Sequence, residues 1–527
     1  MTDTVIEVLV EGPQGPPGEV NAESIAAAAA AVAAAEATAA DRTAAATSAA
    51  SAASDASATA TNAGIAQTAA TAAAASAAAA VVDYEYVNGR LTGFPLQPPL
   101  AYGARIAGVG SSSMQANAGA LSSTLMVTSA SGFVTRARLL DPRFEFDCWY
   151  DATKPNNIGG ANKGVGGTTY AAQVTQIEAA LSEDYAAIVL YTGPNELVSL
   201  TPQVAFAGIR DNVQRVLDGG AIPILCTPNA RGTSGANALT SNSVDRRKKM
   251  SLDDKLRDFA AQTSGVYLAD LATAFADPTS AMQEALADTT LDGLHALPLG
   301  VTADSLVFLD TIRRVVQPRP DADFSVTNLY QNGNLTGTGG NNGVATTLSG
   351  TLPSYVRVGC SGGTPASSAV ASTITDPGGK AGVRVLITAA DETPVTWWTL
   401  FSDTSGSGNS SIVASAYDGQ WVRAEALVWL YTGGELLRGW SLQVESRTSS
   451  TGAATSAVSS NYVADLTTPI GDVRLNGHPY YFRTPPFQIP SGTTHLNFKH
   501  ICSHVGTGSI LYEVSRPTLY VVADPRV

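Results

Sequence analysis

Residues 105–114 read RIAGVGSSSM, a short apolar run that ends in three consecutive serines. Further apolar runs follow it, and the stretches between them have apolar residues at helical spacing. Strands that alternate with helices predict an α/β domain with a parallel sheet covered on both faces. We place this domain at 102–320, with later strands FEFDCWY (144–150), AAIVLY (186–191), AIPILC (221–226) and VYLADL (266–271), and helices at 169–181, 201–217, 251–262 and 301–316.

Candidate reactive residues lie where the predicted strands end, which is where parallel sheets bind ligands. The serine run 111–113 follows the first strand and would present a hydroxyl group there. A glycine turn at 164–169 follows the second strand and opens a helix, so its free N–H groups suit a developing negative charge. Asn195 follows the third strand within the turn 192–196, and its amide can donate a further hydrogen bond.

The α/β region has one histidine, His295, of the five in the chain. It lies three residues after Asp292, in a loop just before the last predicted helix. A histidine oriented by a carboxylate suits a general base that deprotonates a hydroxyl group. We therefore expect these side chains to meet at one end of the sheet.

Taken in order, these blocks resemble the SGNH (GDSL-like) hydrolase family: Ser after the first strand, Gly after the second, Asn in a G-x-N-[DE] turn and D-x-x-H before the last helix. The resemblance implies an α/β/α fold with a flavodoxin-like parallel sheet. It implies that Ser112 is the nucleophile and that Asp292 and His295 complete the triad. The N–H groups of Ser112 and Gly167 and the side chain of Asn195 would then hold the oxyanion. The implied reaction is acyl transfer without metal or cofactor.

The chain departs from the family pattern near the nucleophile and the base. Gly110-Ser111-Ser112 stands where the family has G-D-S, Glu196 replaces the commoner Asp, and Ala296 replaces the usual Pro. The serine run also leaves the nucleophile open between Ser111, Ser112 and Ser113, although the register of the preceding strand favours Ser112.

The N-terminal segments have a different composition. Residues 1–20 contain glycines at 12, 15 and 18, which is typical of collagen-like triplets or of a turn-rich linker. Residues 21–82 are rich in alanine, with alanines at 46, 49, 53, 56, 60 and 63. This heptad spacing predicts a thin trimeric coiled-coil stalk, and a disordered low-complexity linker is the alternative. The Pro- and Gly-rich stretch 83–101 indicates a linker.

Residues 324–527 lose the helical period. Short alternating runs broken by Gly, Asn and Pro predict a β-sandwich of the jelly-roll type. Trp397, Trp398, Trp421 and Tyr480 offer aromatic faces that could bind sugar rings, and the alternative is that they fill the core.

Other groups of polar residues receive simpler interpretations. One possible set of metal ligands lies in the β region, at His495, His500, Cys502 and His504. We interpret them as ordinary strand and edge histidines, and we expect no metal. Glu145, Asp147 and Asp151 follow one predicted strand, and we interpret them as solvated charges at a sheet edge rather than as the carboxylate pair of a glycosidase.

Composition excludes several classes of partner. The chain has 527 residues, 31 Lys and Arg against 45 Asp and Glu, and a net charge of −14, so we expect no nucleic-acid partner. The four cysteines lie far apart, which favours neither a zinc site nor a disulfide framework. The chain starts without a signal-peptide pattern and has no strongly apolar run of membrane-spanning length, so we expect a soluble protein that does not insert into membranes.

The order of the parts is similar to that of a bacteriophage tail fibre or tailspike. This resemblance implies a homotrimer in the virion, assembled in the host bacterial cytoplasm and joined to tail or baseplate proteins through its N-terminus. The hydrolase would remove O-acetyl groups from an acetylated host surface polysaccharide during adsorption. Two alternatives stay open: a receptor-binding fibre without catalysis, and a secreted bacterial carbohydrate esterase with a carbohydrate-binding module.

Overall fold

The structure is a computed structural model. It describes residues 98–526 except 123–124, 130–131, 319–326, 339, 343–347, 362–367, 377–378, 391–393, 402–411, 450–453 and 463–474, together with some positions between 26 and 49. The chain divides into two compact units, Met1–Leu96 and Gln97–Val527.

The described positions of the first unit are helical and exposed, as the high helix propensity of alanine predicts. Within them, the hydroxyl group of Thr38 donates to the carbonyl of Ala34 one turn earlier, at 2.8 Å. The association of three such helices into a coiled coil stays a prediction. The collagen-like triplets at 1–20, most of the heptad positions and the linker at 83–97 lie outside the described residues.

The second unit begins with the α/β region. Its described helices are α1 (Ser112–Gln115), α2 (Phe133–Leu140), α3 (Tyr170–Ser182), α4 (Pro202–Asp218), α5 (Val244–Gln262) and α6 (Pro298–Val315). Its described strands are β1 (Ala104–Gly110), β2 (Ala118–Ser122), β3 (Leu125–Ser129), β4 (Phe144–Glu145), β5 (Cys148–Tyr150), β6 (Ile158–Gly160), β7 (Ala187–Tyr191), β8 (Ile222–Cys226) and β9 (Tyr267–Ala269). Short 3-10 turns occur at Pro155–Asn157, Glu196–Val198 and Leu271–Thr273. Across the described part of the chain, no helix is both long and apolar enough to cross a membrane.

Five strands form a parallel sheet in the order β4-β1-β7-β8-β9. Consecutive residues of a strand point to opposite faces, and Ile188, Val189 and Leu190 of β7 are all 0% exposed. Both faces of the sheet are therefore covered. The covering helices form two groups, α2 with α6 and α3 with α4 and α5. These observations confirm the predicted α/β domain with a parallel sheet.

The second predicted strand, 144–150, is divided in the structure. Only β4 joins the parallel sheet, whereas β5 pairs with β6 in a separate two-stranded sheet. Gly159 lets β6 approach β5 closely, because a Cβ atom there would lie 2.5 Å from the Nε1 atom of Trp149.

The rest of the second unit is built of strands. They are β10 (Asn341–Asn342), β11 (Leu348–Gly350), β12 (Val356–Ser361), β13 (Ser368–Thr375), β14 (Ala381–Ala389), β15 (Val395–Phe401), β16 (Ile412–Val413), β17 (Trp421–Thr432), β18 (Leu437–Arg447), β19 (Ala454–Tyr462), β20 (His478–Arg483), β21 (Phe487–Gln488), β22 (His495–His504) and β23 (Gly508–Val522). Short 3-10 turns lie at Ser415–Tyr417 and Gly434–Leu436.

These strands form two sheets that pack face to face. One sheet runs β10-β12-β15-β22-β18-β19-β3-β2, with β16 beside β22, and the other runs β11-β13-β14-β23-β17-β20, with β21 beside β17. The ring of Trp440 in the first sheet lies 4.8 Å from that of Tyr480 and 5.1 Å from that of Phe482, both in the second. This packing confirms a β-sandwich, and its jelly-roll type stays a prediction.

The α/β region contributes two strands to the sandwich. The hairpin of β2 and β3 comes directly after α1, and β3 pairs in parallel with β19. Sequence analysis did not predict this hairpin, because both strands have only five residues and Ala118–Ser122 consists mostly of small residues.

Charged residues also join the two regions, which corrects the interpretation of Glu145 and Asp147 as solvated charges. Glu145 accepts two bonds of 2.5 Å from Arg483, and Asp147 pairs with Arg423, both arginines lying in the sandwich. Burial alone would raise the pKa of Asp147, but the guanidinium groups of Arg423 and Arg483 lower it to about 2. These carboxylates are interface residues between the two regions.

Candidate active site

Ser112 lies at the carboxyl end of β1, as the sequence predicts. The strand ends at Gly110 and α1 begins two residues later. Gly110 allows this sharp transition, since a Cβ atom there would lie 2.7 Å from the carbonyl oxygen of Tyr191 on the neighbouring strand. Met114 is 0% exposed and fixes the short helix in the core.

Ser112, His295 and Asp292 form one line of hydrogen bonds. The Oγ atom of Ser112 lies 2.8 Å from Nε2 of His295, and Nδ1 of the same ring lies 2.9 Å from Oδ2 of Asp292. The structure therefore brings together the three residues that the sequence names as a triad, across more than 180 residues of chain. Of the three candidate serines, Ser112 is the one whose hydroxyl group reaches the histidine. Ser111 is buried, since only 3% of its surface is exposed.

Asp292 is held as an ionised acceptor. Its Oδ1 accepts from the N–H groups of Leu294 (3.0 Å) and His295 (2.8 Å), and its Oδ2 accepts from Nδ2 of Asn237 (2.6 Å). Burial raises the pKa of Asp292, but the hydrogen bonds from His295, Asn237 and Leu294 outweigh it and lower the pKa below its ordinary value. Because an ionised carboxylate only accepts, Nδ1 of His295 carries the ring proton and Nε2 is free to accept from Ser112.

Asn237 belongs to a loop that sequence analysis missed. This loop follows β8 and packs on the Asp292 turn so closely that a Cβ atom at Gly293 would lie 2.5 Å from Cα of Ala238. Arg231 strengthens the contact, because its Nε donates to the carbonyl of Gly293 at 3.1 Å. No motif marks Asn237 or Arg231 in the sequence, and only their place in space shows that they position Asp292.

The glycine turn 164–169 follows β6 rather than a strand of the parallel sheet, but it runs along the end of β1. Its Val165 N–H donates to the carbonyl of Gly110 at 3.0 Å, and Gly166 N–H donates to Oε1 of Gln115 at 2.7 Å. A Cβ atom on Gly166 would lie 4.0 Å from Cβ of Ser112. The predicted oxyanion donor, Gly167, is the next residue after this contact, and its φ is +76°.

Asn195 lies next to the same turn. Its Nδ2 donates to the carbonyl of Thr168 at 2.9 Å, and Thr168 Oγ1 donates to the carbonyl of Gly110 at 3.0 Å. An amide nitrogen carries two protons, and the Thr168 bond uses one of them. The second can donate to a ligand. The predicted oxyanion residues are thus linked to the end of β1 that presents Ser112.

Glu196 fixes the turn that carries Asn195. It is 1% exposed, and its two carboxyl oxygens accept from the N–H groups of Tyr170 (2.5 Å) and Gly193 (2.8 Å). Burial raises the pKa of Glu196. The residue that departs from the family pattern therefore ties the Asn195 turn to the start of α3.

The predicted sugar-binding aromatics are mostly core residues, which corrects that prediction. Trp397 is 0% exposed and Tyr480 is 1% exposed, so no sugar can reach their rings. Trp421 is 8% exposed and Arg526 covers one ring face at 4.9 Å. Trp398 is half-buried beneath the guanidinium of Arg357, 5.5 Å from its ring. The alternation of strand residues places Trp397 and Tyr480 inward, between the two sheets, and places Trp398 on the opposite face of β15 from Trp397.

His500 is also a core residue. It is 0% exposed among aromatic rings, and burial lowers its pKa to about 3. Within the described residues, no three His, Cys, Asp or Glu side chains come close enough to hold a metal ion.

Comparison with known proteins finds similar solved structures at low sequence identity. No family model and no curated protein matches this chain. Similar solved structures include a member of the lipolytic protein G-D-S-L family from Veillonella parvula, with 12% identity and a TM-score of 0.30 over 40% of this chain and 99% of that one. A GDSL-like lipase from Bacteroides thetaiotaomicron has 11% identity and a TM-score of 0.27 over 40% of this chain and 86% of its own. A structure of carbohydrate-binding modules from the β-sandwich superfamily has 10% identity and a TM-score of 0.25, over 39% of this chain and 64% of its own.

Proposed function

We propose that the chain is a serine ester hydrolase. The observation that carries this proposal is the hydrogen-bonded line from Ser112 Oγ through the His295 ring to the Asp292 carboxylate. This arrangement activates a hydroxyl group for attack on a carbonyl carbon. It lies at the end of a parallel sheet, where the His295 side chain is 39% exposed.

The proposed reaction has two steps. His295 Nε2 takes the Ser112 proton as Oγ forms a bond to the ester carbonyl carbon, and the oxygen that becomes negative is held by the N–H groups of Ser112 and Gly167 and by Asn195. The tetrahedral intermediate then expels the alcohol, which takes the proton from His295. Water attacks the resulting acyl-enzyme with His295 again as base, the acid leaves, and Ser112 recovers its proton.

The test compares Ser112→Ala with the matched variant Ser111→Ala. Ser111 is the adjacent serine and its side chain makes no capping bond to α1. With 4-nitrophenyl acetate, loss of the nucleophile lowers kcat by about 10⁴-fold or more, whereas Ser111→Ala keeps activity near that of the parent. An unreactive parent protein, or an active Ser112→Ala protein, would contradict the proposal.

We further propose that the natural substrate is an acylated, and specifically O-acetylated, polysaccharide of a bacterial surface. We place the chain in a phage tail fibre or tailspike, where the alanine-rich segment joins it to the virion as a trimer. The order of the parts along the sequence and the helical positions described between 26 and 49 support this proposal.

Two measurements test this assignment. Acetate release from acetylated host polysaccharide should require Ser112, and sedimentation of the full chain should give a trimer. A monomer that still deacetylates polysaccharide would favour a secreted carbohydrate esterase. Unchanged adsorption and glycan processing by Ser112→Ala would favour a fibre that only binds.

A further inference from the structure

A small cavity lies beside the His295 ring, between α1 and α6. Its volume is about 50 Å³. A water-sized group needs about 10–15 Å³ of such space, so about three to five non-hydrogen atoms fit. Ala116, Phe133 and Val301 give the cavity apolar walls, while Asn229 and Asp304 add polar atoms.

The polar atoms of this cavity are deeply buried and incompletely bonded. Asp304 is 1% exposed and Asn229 is 2% exposed. Nδ2 of Asn229 donates to Oδ2 of Asp304 at 2.7 Å. The Oδ1 atoms of both residues have no hydrogen-bond partner among the described residues. Buried polar atoms are nearly always bonded in folded proteins, so these two atoms call for a polar group from outside the chain, either water or a ligand.

The protonation state of Asp304 decides which group fits. Burial raises the pKa of Asp304 well above its ordinary value, which favours the protonated carboxyl group. A protonated Asp304 can donate from Oδ1, while Oδ1 of Asn229 can only accept. A hydroxyl group both donates and accepts, and one hydroxyl satisfies both atoms.

We propose that this cavity is a subsite for a short hydroxyl-bearing arm of the ester substrate, with the hydroxyl bound between Asp304 and Asn229; this inference rests on the proposed esterase function. An arm of two or three non-hydrogen atoms, such as a hydroxymethyl group, fits the volume. The arm belongs either to the acyl group or to the alcohol.

Two pairs of nearly isosteric esters distinguish these sources. The first pair is methyl glycolate and methyl propionate, and the hydroxyl group of methyl glycolate lies in the acyl part of the ester. The second pair is the monoacetate of ethylene glycol and propyl acetate, and the hydroxyl group of the monoacetate lies in the alcohol part of the ester. Acid release gives kcat/KM for each ester, and the ratio within a pair is compared between parent and Asp304→Leu. Since intrinsic ester reactivity is the same with both proteins, the change in this ratio measures the contribution of the buried carboxyl group.

Control variants separate recognition from folding. Asp310 lies on the same helix with a side chain 75% exposed, so Asp310→Leu is the matched control and leaves every ratio unchanged. Asp304→Asn keeps a donor of similar shape and retains most of the preference. If Asp304→Leu does not fold, Asn229→Leu removes the acceptor instead and serves the same comparison.

In one ester pair, we expect the preference for the hydroxyl-bearing member to fall by at least about 10²-fold in Asp304→Leu, because sites that bind a substrate hydroxyl strongly reject analogues without it. Ratios that change less than about threefold in both pairs, with Ser112-dependent hydrolysis of propyl acetate intact, overturn the subsite and leave the esterase standing. Absence of Ser112-dependent hydrolysis of every ester overturns both.

Discussion

Replacement of Asp292 by Asn should move the proton on the His295 ring. Oδ1 of Asp292 accepts from two backbone N–H groups, those of Leu294 and His295, so the amide oxygen of the asparagine must take this position. The amide nitrogen then takes the position of Oδ2, 2.9 Å from His295 Nδ1. An amide nitrogen only donates, so Nδ1 must accept and the ring proton moves to Nε2.

A ring with its proton on Nε2 cannot accept the proton of Ser112. Loss of the correct tautomer in a Ser-His-Asp triad lowers kcat by about 10⁴-fold, or about 5 kcal/mol of activation free energy. The asparagine nitrogen would also face Nδ2 of Asn237 across the position of the present 2.6 Å bond, so two donors would meet there. This second effect loosens the turn but does not set the tautomer.

Steady-state kcat for 4-nitrophenyl acetate, with ¹⁵N NMR of the His295 ring, tests the prediction. Asn237→Ala is the matched control: it removes one bond to Asp292 but keeps the tautomer, so we expect a loss of less than about tenfold. A loss below about 10²-fold in Asp292→Asn, or a ring proton still on Nδ1, would refute the reasoning. Thermal unfolding checks that both variants fold.

Three further predictions concern the supporting structure. Asn195→Ala should lower kcat about 10²- to 10³-fold with little change in KM, because it removes an oxyanion donor; an unchanged kcat would exclude that role. Glu196→Gln leaves the buried N–H of Tyr170 or Gly193 facing a donor, and urea denaturation should show a loss of about 1–3 kcal/mol. Asp147→Asn should destabilise the protein most above about pH 4: its folded pKa of about 2 lies below the ordinary 3.8, so the stabilisation is full above 3.8 and is lost gradually as the pH falls towards 2. Unfolding free energies of parent and variant should converge between about pH 5 and pH 2, and a constant difference would contradict the ion-pair explanation.

The sequence was sufficient to predict that Ser112, His295 and Asp292 lie together, because their positions follow from simple rules. Parallel strands place their carboxyl ends at one edge, so Ser112 and Asn195 had to approach each other once the strands before them were recognised. His295 is the one histidine of the α/β region. Asn237 obeys no such rule, since it lies in a loop whose path depends on packing against Gly293.

The aromatic residues of the sandwich show where pattern analysis fails. Trp397 and Trp398 are neighbours on β15 and point to opposite faces, yet the sequence does not state which face is covered. Trp397 is 0% exposed. The second sheet determines which face of β15 is covered. Its strands are distant in sequence, and no local pattern determines their register.

The ion pairs and the shared hairpin together explain why the two regions of the second unit depend on each other. Glu145 and Asp147 face Arg483 and Arg423, and the four side chains are 8–23% exposed. Without the sandwich, both carboxylates would lose the guanidinium groups that neutralise them. Without the α/β region, Arg423 would lose Glu145 and Asp147, and Arg483 would keep only its pair with Glu425 of the sandwich. The hairpin that follows α1, the helix that starts at Ser112, also supplies the last two strands of one sandwich sheet. A sandwich attached in this way is continuous with the backbone that presents Ser112, so we expect substitutions at this interface to alter the proposed catalysis as well as stability.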